Sequence, residues 1–130
     1  QQVRLEAHGT AGELPSLRAI MDGVNQPSVR IKLNSDSRDN TGKRFEHNFN
    51  LVRDYLVDTL HLHNLKDTSF PYQLQMDLLV KMEWTGWQLL EVSDKVPDRL
   101  EALIEQRRIW DGLLDNSLNT LVNISNSKIL

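Results

Sequence analysis

SFPYQLQMDLLVKMEWTGWQLLEV, residues 69–92, is the most apolar long run of the chain and carries two of its three tryptophans. Thr68 or Ser69 suits a helix cap, and Pro71 suits a first turn, where a missing N–H leaves nothing unsatisfied. On a helical wheel, Leu74, Met76, Leu78, Leu79, Val80, Met82, Trp87, Leu89 and Leu90 spread over about two-thirds of the circumference. So wide an apolar arc predicts a central helix touched from more than one side. Its narrow polar strip holds Gln73, Asp77, Lys81, Gln88 and Glu91. Gly86 interrupts the run, so the segment reads as one kinked helix or as two.

The flanking segments read as helices packed on it. Upstream, Phe45, Phe49, Val52, Leu56 and Leu60 form one stripe, which predicts a helix over about Lys43–Leu62 with Thr41 as its cap. Downstream, Pro97 opens a helix to about Leu121, with Asp98 well placed in the first turn. Leu100, Leu103, Ile104, Trp110, Leu114, Leu118 and Leu121 make its main stripe, and Ala102, Ile109 and Leu113 a lesser one.

The N-terminal part has a different period. Val3, Leu5 and Ala7 alternate with Arg4, Glu6 and His8, and Val29, Ile31 and Leu33 alternate with Arg30 and Lys32, which is a strand signature. Between them, Leu17, Ile20, Met21 and Val24 mark a short helix. The three pieces make a β-α-β-like segment. Two strands alone form a poor sheet, so extended arms on a helical body are the preferred reading. Residues 34–41, NSDSRDNT, read as an exposed loop. The expected fold is therefore mainly α: a compact bundle of about four helices with this short N-terminal segment. A single domain is expected over residues 1–130, with an arm and loop over 1–40, a helical core over 41–122 and a frayed tail over 123–130.

Composition narrows the function classes. The chain has 130 residues, 39% apolar and 25% charged, the balance of a globular domain. No apolar run approaches the roughly 18–20 residues that span a bilayer. There is no cysteine, which removes disulfides, thiol catalysis and thiolate metal sites and suits an intracellular setting. The chain does not begin with Met, which fits an excised domain or a processed product. Residues 45–130 carry eight basic and thirteen acidic side chains, a net −5, which disfavours broad nucleic-acid or anionic-membrane binding.

No catalytic signature stands out. No phosphate-cradling glycine loop, HExxH or Gly-x-Ser-x-Gly occurs. No cofactor is expected, and a non-catalytic protein is the leading reading. On a helix, the imidazoles of His61-Leu62-His63 diverge and cannot share an ion. Asp54, Asp58 and His61, at i, i+4 and i+7, would share a helix face and are the alternative metal ligands. The plainer reading of these three is a solvated face. The basic residues Arg30, Lys32, Arg38, Lys43 and Arg44 form a second alternative, an arm for phosphates, although no aromatic lies between them for base stacking. Against it stands a charged edge strand beside a soluble loop.

Two features point to a protein partner. On a straight helix, Trp84 falls in the polar strip beside Asp77, Lys81 and Gln88, the composition of an interface anchor. If Gly86 bends the chain, Trp84 packs inward instead. Arg107 and Asp111 lie four apart within the apolar stripe of the last helix, where an ion pair sets register or partner choice. If the stripe is narrow there, both reach water by their stems. The functional expectation is a protein–protein interaction or scaffolding module of a larger protein or assembly, with a protein partner or self-association. A nucleic-acid accessory domain and a small metal-dependent enzyme or sensor are the alternatives.

Overall fold

The computed structural model describes residues 1–36, 44–91 and 95–127. It is an α/β fold and not a mainly-α bundle. The strands are β1 (Val3–Leu5), β2 (Val29–Ser35), β3 (Leu56–Leu62) and β4 (Trp87–Leu90). The helices are α1 (Leu14–Val24), α2 (Phe45–Val52), α3 (Tyr72–Lys81) and α4 (Arg99–Ser127). All four strands are parallel, in the order β1-β2-β3-β4. The N-terminal strands are thus part of a sheet and not arms, with Leu5 opposite Ile31 and Leu33 opposite Leu60.

Both predicted long helices split into a helix and a strand. In the first, Phe45, Phe49 and Val52 do form a helical face, and all three are buried in α2. The chain then tightens into a 3-10 turn at Arg53–Tyr55 and runs on as β3. Leu56 and Leu60 are four apart, a spacing that fits one helix face and equally one strand face. Leu60 and Leu62, both buried around His61, show that the period here is two. In the central run, α3 stops at Lys81. Glu83 takes the left-handed conformation (φ 54°), with the Glu83 N–H on the Val80 carbonyl and the Trp84 N–H on the Leu79 carbonyl. That is a Schellman ending built without glycine.

The strand order equals the chain order, so each crossover steps the same way across the sheet. Right-handed crossovers of this kind put every helix on one face, the winding of a β/α barrel rather than of a doubly wound sheet. The core agrees: Ile31, Leu33, Leu60 and Leu62 of the sheet bury against Leu14, Leu17 and Met21 of α1, Phe45 and Phe49 of α2 and Leu79 of α3. Because side chains alternate along a strand, Arg4, Lys32, Thr59, His61 and Leu89 point to the other face. No helix covers that face among the described residues.

Polar side chains tie α4 to α3 as much as apolar ones. Gln73 donates to the Leu113 carbonyl (3.1 Å) and to Ser117 Oγ (3.0 Å), and Ser117 donates to Asp77. Gln106 is buried, accepting from the Leu65 N–H and donating to Asn64 Oδ1, each at 2.8 Å. The helix runs to Ser127, so residues 123–127 are helical, while 128–130 lie outside the described residues. The lesser apolar line of α4 packs inward through Ile109 and Leu113. Much of the main stripe faces out, with Leu100, Leu103 and Leu118 exposed. No described helix is long and apolar enough to cross a membrane.

Candidate functional site: a carboxylate–imidazole cluster at the strand ends

The open face of the sheet is polar, and its charges gather toward the C-terminal ends of the strands. Glu6 follows β1, Lys32 lies on β2, His61 on β3, and Glu91 follows β4. One residue from each strand unit therefore meets at one place. Period-two alternation causes this: Leu5, Leu33, Leu60 and Leu90 belong to the helix-covered side, and the residues beside them turn the other way. In β/α barrels, whose winding this sheet shares, the carboxyl ends of the strands carry the functional residues.

The geometry is close. Glu6 Oε1 lies 2.6 Å from His61 Nδ1, and Glu91 Oε2 lies 3.2 Å from the same nitrogen. Lys32 Nζ lies 2.9 Å from the other oxygen of Glu6, Oε2. One ligand atom from each of Glu6, His61 and Glu91 fits within 4.8 Å of the others. The Glu6 and His61 side chains are 21% and 19% exposed, so this is a partly desolvated site. Glu91 is on its outer rim.

His61 Nδ1 is itself buried yet makes no hydrogen bond. The two carboxylate oxygens are near enough, but they lie off the line along which an N–H would donate. The two carboxylates are therefore charge partners of this ring rather than in-line acceptors. Burial alone would push the Glu6 carboxyl up. The hydrogen bond from Lys32 and the charge that His61 carries when protonated outweigh it and hold Glu6 below its ordinary value.

Two further tiers lie along the same face. Above the cluster, Asn34 joins two histidines: its Nδ2 donates to His8 Nδ1 (3.0 Å), and its Oδ1 accepts from His63 Nε2 (2.8 Å). An amide donates only through nitrogen and accepts only through oxygen. This pairing leaves Nδ1 of His8 without its proton and puts a proton on Nε2 of His63. Asp36 stands 3.7 Å from the same His63 nitrogen. Below the cluster, Arg4 pairs with Asp58 (2.9 Å) and donates to Thr59 (3.0 Å).

The residues singled out from the sequence fall in several places. Asp54, Asp58 and His61 share no helix: Asp54 is in the 3-10 turn, Asp58 pairs with Arg4, and only His61 is in the cluster. Of the basic set, Lys32 belongs to the cluster and Arg30 donates to the Asp54 carbonyl (3.1 Å). Arg44 sits at the start of α2, and Arg38 and Lys43 lie outside the described residues. Trp84 is half-buried, and its indole donates to the Val57 carbonyl (2.9 Å). Gly86 admits that ring, since a Cβ there would clash with it. Asp77 is engaged with Ser117, Gln88 accepts from Trp110, and Lys81 is exposed at the end of α3. Arg107 and Asp111 pair at 2.7 Å on the outer surface of α4.

Glu6, Glu91, His8 and Asn34 were not among the candidate residues, and His63 was set aside with the His61-Leu62-His63 triplet. Their signal is a recurring couplet, a leucine followed by a charged or ring-bearing side chain: Leu5-Glu6, Leu60-His61, Leu62-His63 and Leu90-Glu91. It has meaning only once these segments are strands. The chain matches no protein family, no curated protein and no solved structure with which it was compared.

Proposed function

We propose that this is a metal-dependent α/β protein that holds a divalent ion between Glu6, His61 and Glu91. The observation that carries this reading is the convergence of one ligand atom from each of Glu6, His61 and Glu91 within 4.8 Å of the others, around a buried imidazole nitrogen with no in-line hydrogen bond. Two carboxylates and one imidazole suit Zn²⁺ or Mn²⁺. Three protein ligands leave coordination positions open, the arrangement of catalytic rather than structural metal sites. An ion held there would act as a Lewis acid toward a small ligand, and the His8–Asn34–His63 tier on the same face would be the nearest set of groups able to exchange protons with it.

The test is direct binding. Untagged protein, stripped with a chelator and titrated with Zn²⁺ or Mn²⁺ by calorimetry, should take up one ion. The Glu6→Ala and His61→Ala variants should lose that uptake while keeping the wild-type circular dichroism. No uptake by the wild type would end this reading.

A protein-partner role is a second reading, and Trp87 favours it. This side chain is 73% exposed on the edge strand β4, near the outward stripe of α4. Trp87 lies in one groove with Leu103 and Trp110 of α4, and a contiguous apolar patch at a sheet edge, unlike a single exposed side chain, favours a partner. Light scattering across a concentration series distinguishes self-association from a monomer.

A further inference from the structure

We infer that Lys32 is a positioning residue that sets the metal selectivity of the cluster, by claiming one oxygen of Glu6. This rests on the metal-binding reading above. The two oxygens of Glu6 have separate partners: Oε1 faces His61 Nδ1 at 2.6 Å, and Oε2 faces Lys32 Nζ at 2.9 Å. Lys32 comes from the neighbouring strand, and its side chain is only 18% exposed, so little water competes for the pair. A lysine ammonium has donors and no acceptor, so it holds a carboxylate oxygen and cannot itself ligate an ion.

Glu6 is thereby restricted to binding an ion through one oxygen. That restriction selects among ions. Zn²⁺ is satisfied by about four ligands, whereas Ca²⁺ takes about six to eight oxygens and gains from bidentate carboxylates. With Oε2 held by Lys32, the site is short of oxygen for Ca²⁺ and adequate for Zn²⁺. Outer partners of this kind change metal affinity by roughly 10–100-fold when removed. The charge of Lys32 also weakens every dication, but about equally for ions of the same charge. The ratio of affinities therefore isolates the positioning effect.

The experiment compares Zn²⁺ and Ca²⁺ affinities, by calorimetry, in the wild type and in Lys32→Met, which keeps the stem and removes the donor. The expected result is a shift of the Zn²⁺/Ca²⁺ ratio toward Ca²⁺ by about tenfold or more. An unchanged ratio in a folded variant overturns the inference while leaving the metal site standing. No Zn²⁺ uptake by the wild type removes the metal site and the inference with it. A second measurement needs no variant. In ¹⁵N-lysine-labelled wild type, the Lys32 ammonium signal should stay protected after Zn²⁺ is added. Its loss on Zn²⁺ binding would show that Glu6 releases Lys32 and would overturn the inference.

Discussion

At the scale of single residues, the buried polar groups explain how a polar sheet face coexists with a tight core. Tyr72 is buried beside Phe70, and its hydroxyl donates to the Ser35 carbonyl at 3.0 Å. Ser35 in turn donates to Gln75, which is 1% exposed. These bonds end β2 against α3. Burial pushes the Tyr72 phenol well above its ordinary value of 10.0. The sign of the pH effect follows. Below about pH 10 the phenol is neutral in both folded and unfolded chains and favours neither. As pH rises past that value the unfolded chain releases the proton while the folded chain keeps it, and stability falls. Tyr72→Phe should flatten this alkaline limb, at a cost near neutrality of about 1 kcal/mol for the lost hydrogen bond. Urea melts of both proteins between pH 8 and 11 measure it. Parallel alkaline limbs would show that other groups cause the fall.

At the scale of elements, the ends of α2 and α3 are what the sequence conceals. A helix stop is usually announced by glycine or proline. Here α3 ends on Glu83 in a left-handed conformation, and α2 passes through a 3-10 turn at Arg53–Tyr55. Neither place holds a glycine, so the apolar pattern reads straight through both. A non-glycine residue in that conformation is strained by roughly 1–2 kcal/mol. Glu83→Gly should therefore stabilise the protein by about 1 kcal/mol, since glycine adopts this ending without a Cβ clash. Chemical denaturation tests it, and a destabilised variant would mean that the Glu83 side chain supplies more than the strain removes. The same ending lets the chain turn back so that Trp84 reaches the Val57 carbonyl and β4 lies along β3. The Arg107–Asp111 pair shows the opposite case: the i, i+4 spacing was legible, and the pair forms.

At the scale of the whole molecule, the sheet has two inner strands and two edges. β2 and β3 are paired on both sides, β1 and β4 on one. Amide exchange should rank them accordingly, with β2 and β3 slowest, because opening them disrupts the core shared with all four helices. Exchange in β1 slower than in β3 would contradict the strand order. The cluster of Glu6, His61 and Glu91 draws on β1, β3 and β4, and Lys32 on β2. It exists only when all four strands are side by side.

The sequence by itself determined the strand–helix–strand pattern of the first 35 residues, the helical faces of α1 and α2 and the opening of α4. These depend on neighbours within one or two turns, whose spacing is visible along the chain. The tertiary structure alone decided that Leu56–Leu62 and Trp87–Leu90 are strands, because leucines four apart suit either period until a neighbouring strand takes up their backbone N–H and C=O groups. It also decided the site. The stretch 69–91, read as a central helical segment, kinked or in two pieces, is a helix, a reversal through a left-handed Glu83 and an edge strand, and Glu91 at its end reaches His61 only through the pairing of β3 with β4. Residues 85 positions apart, Glu6 and Glu91, approach the same imidazole because parallel strands align their ends, and no spacing along the chain encodes that.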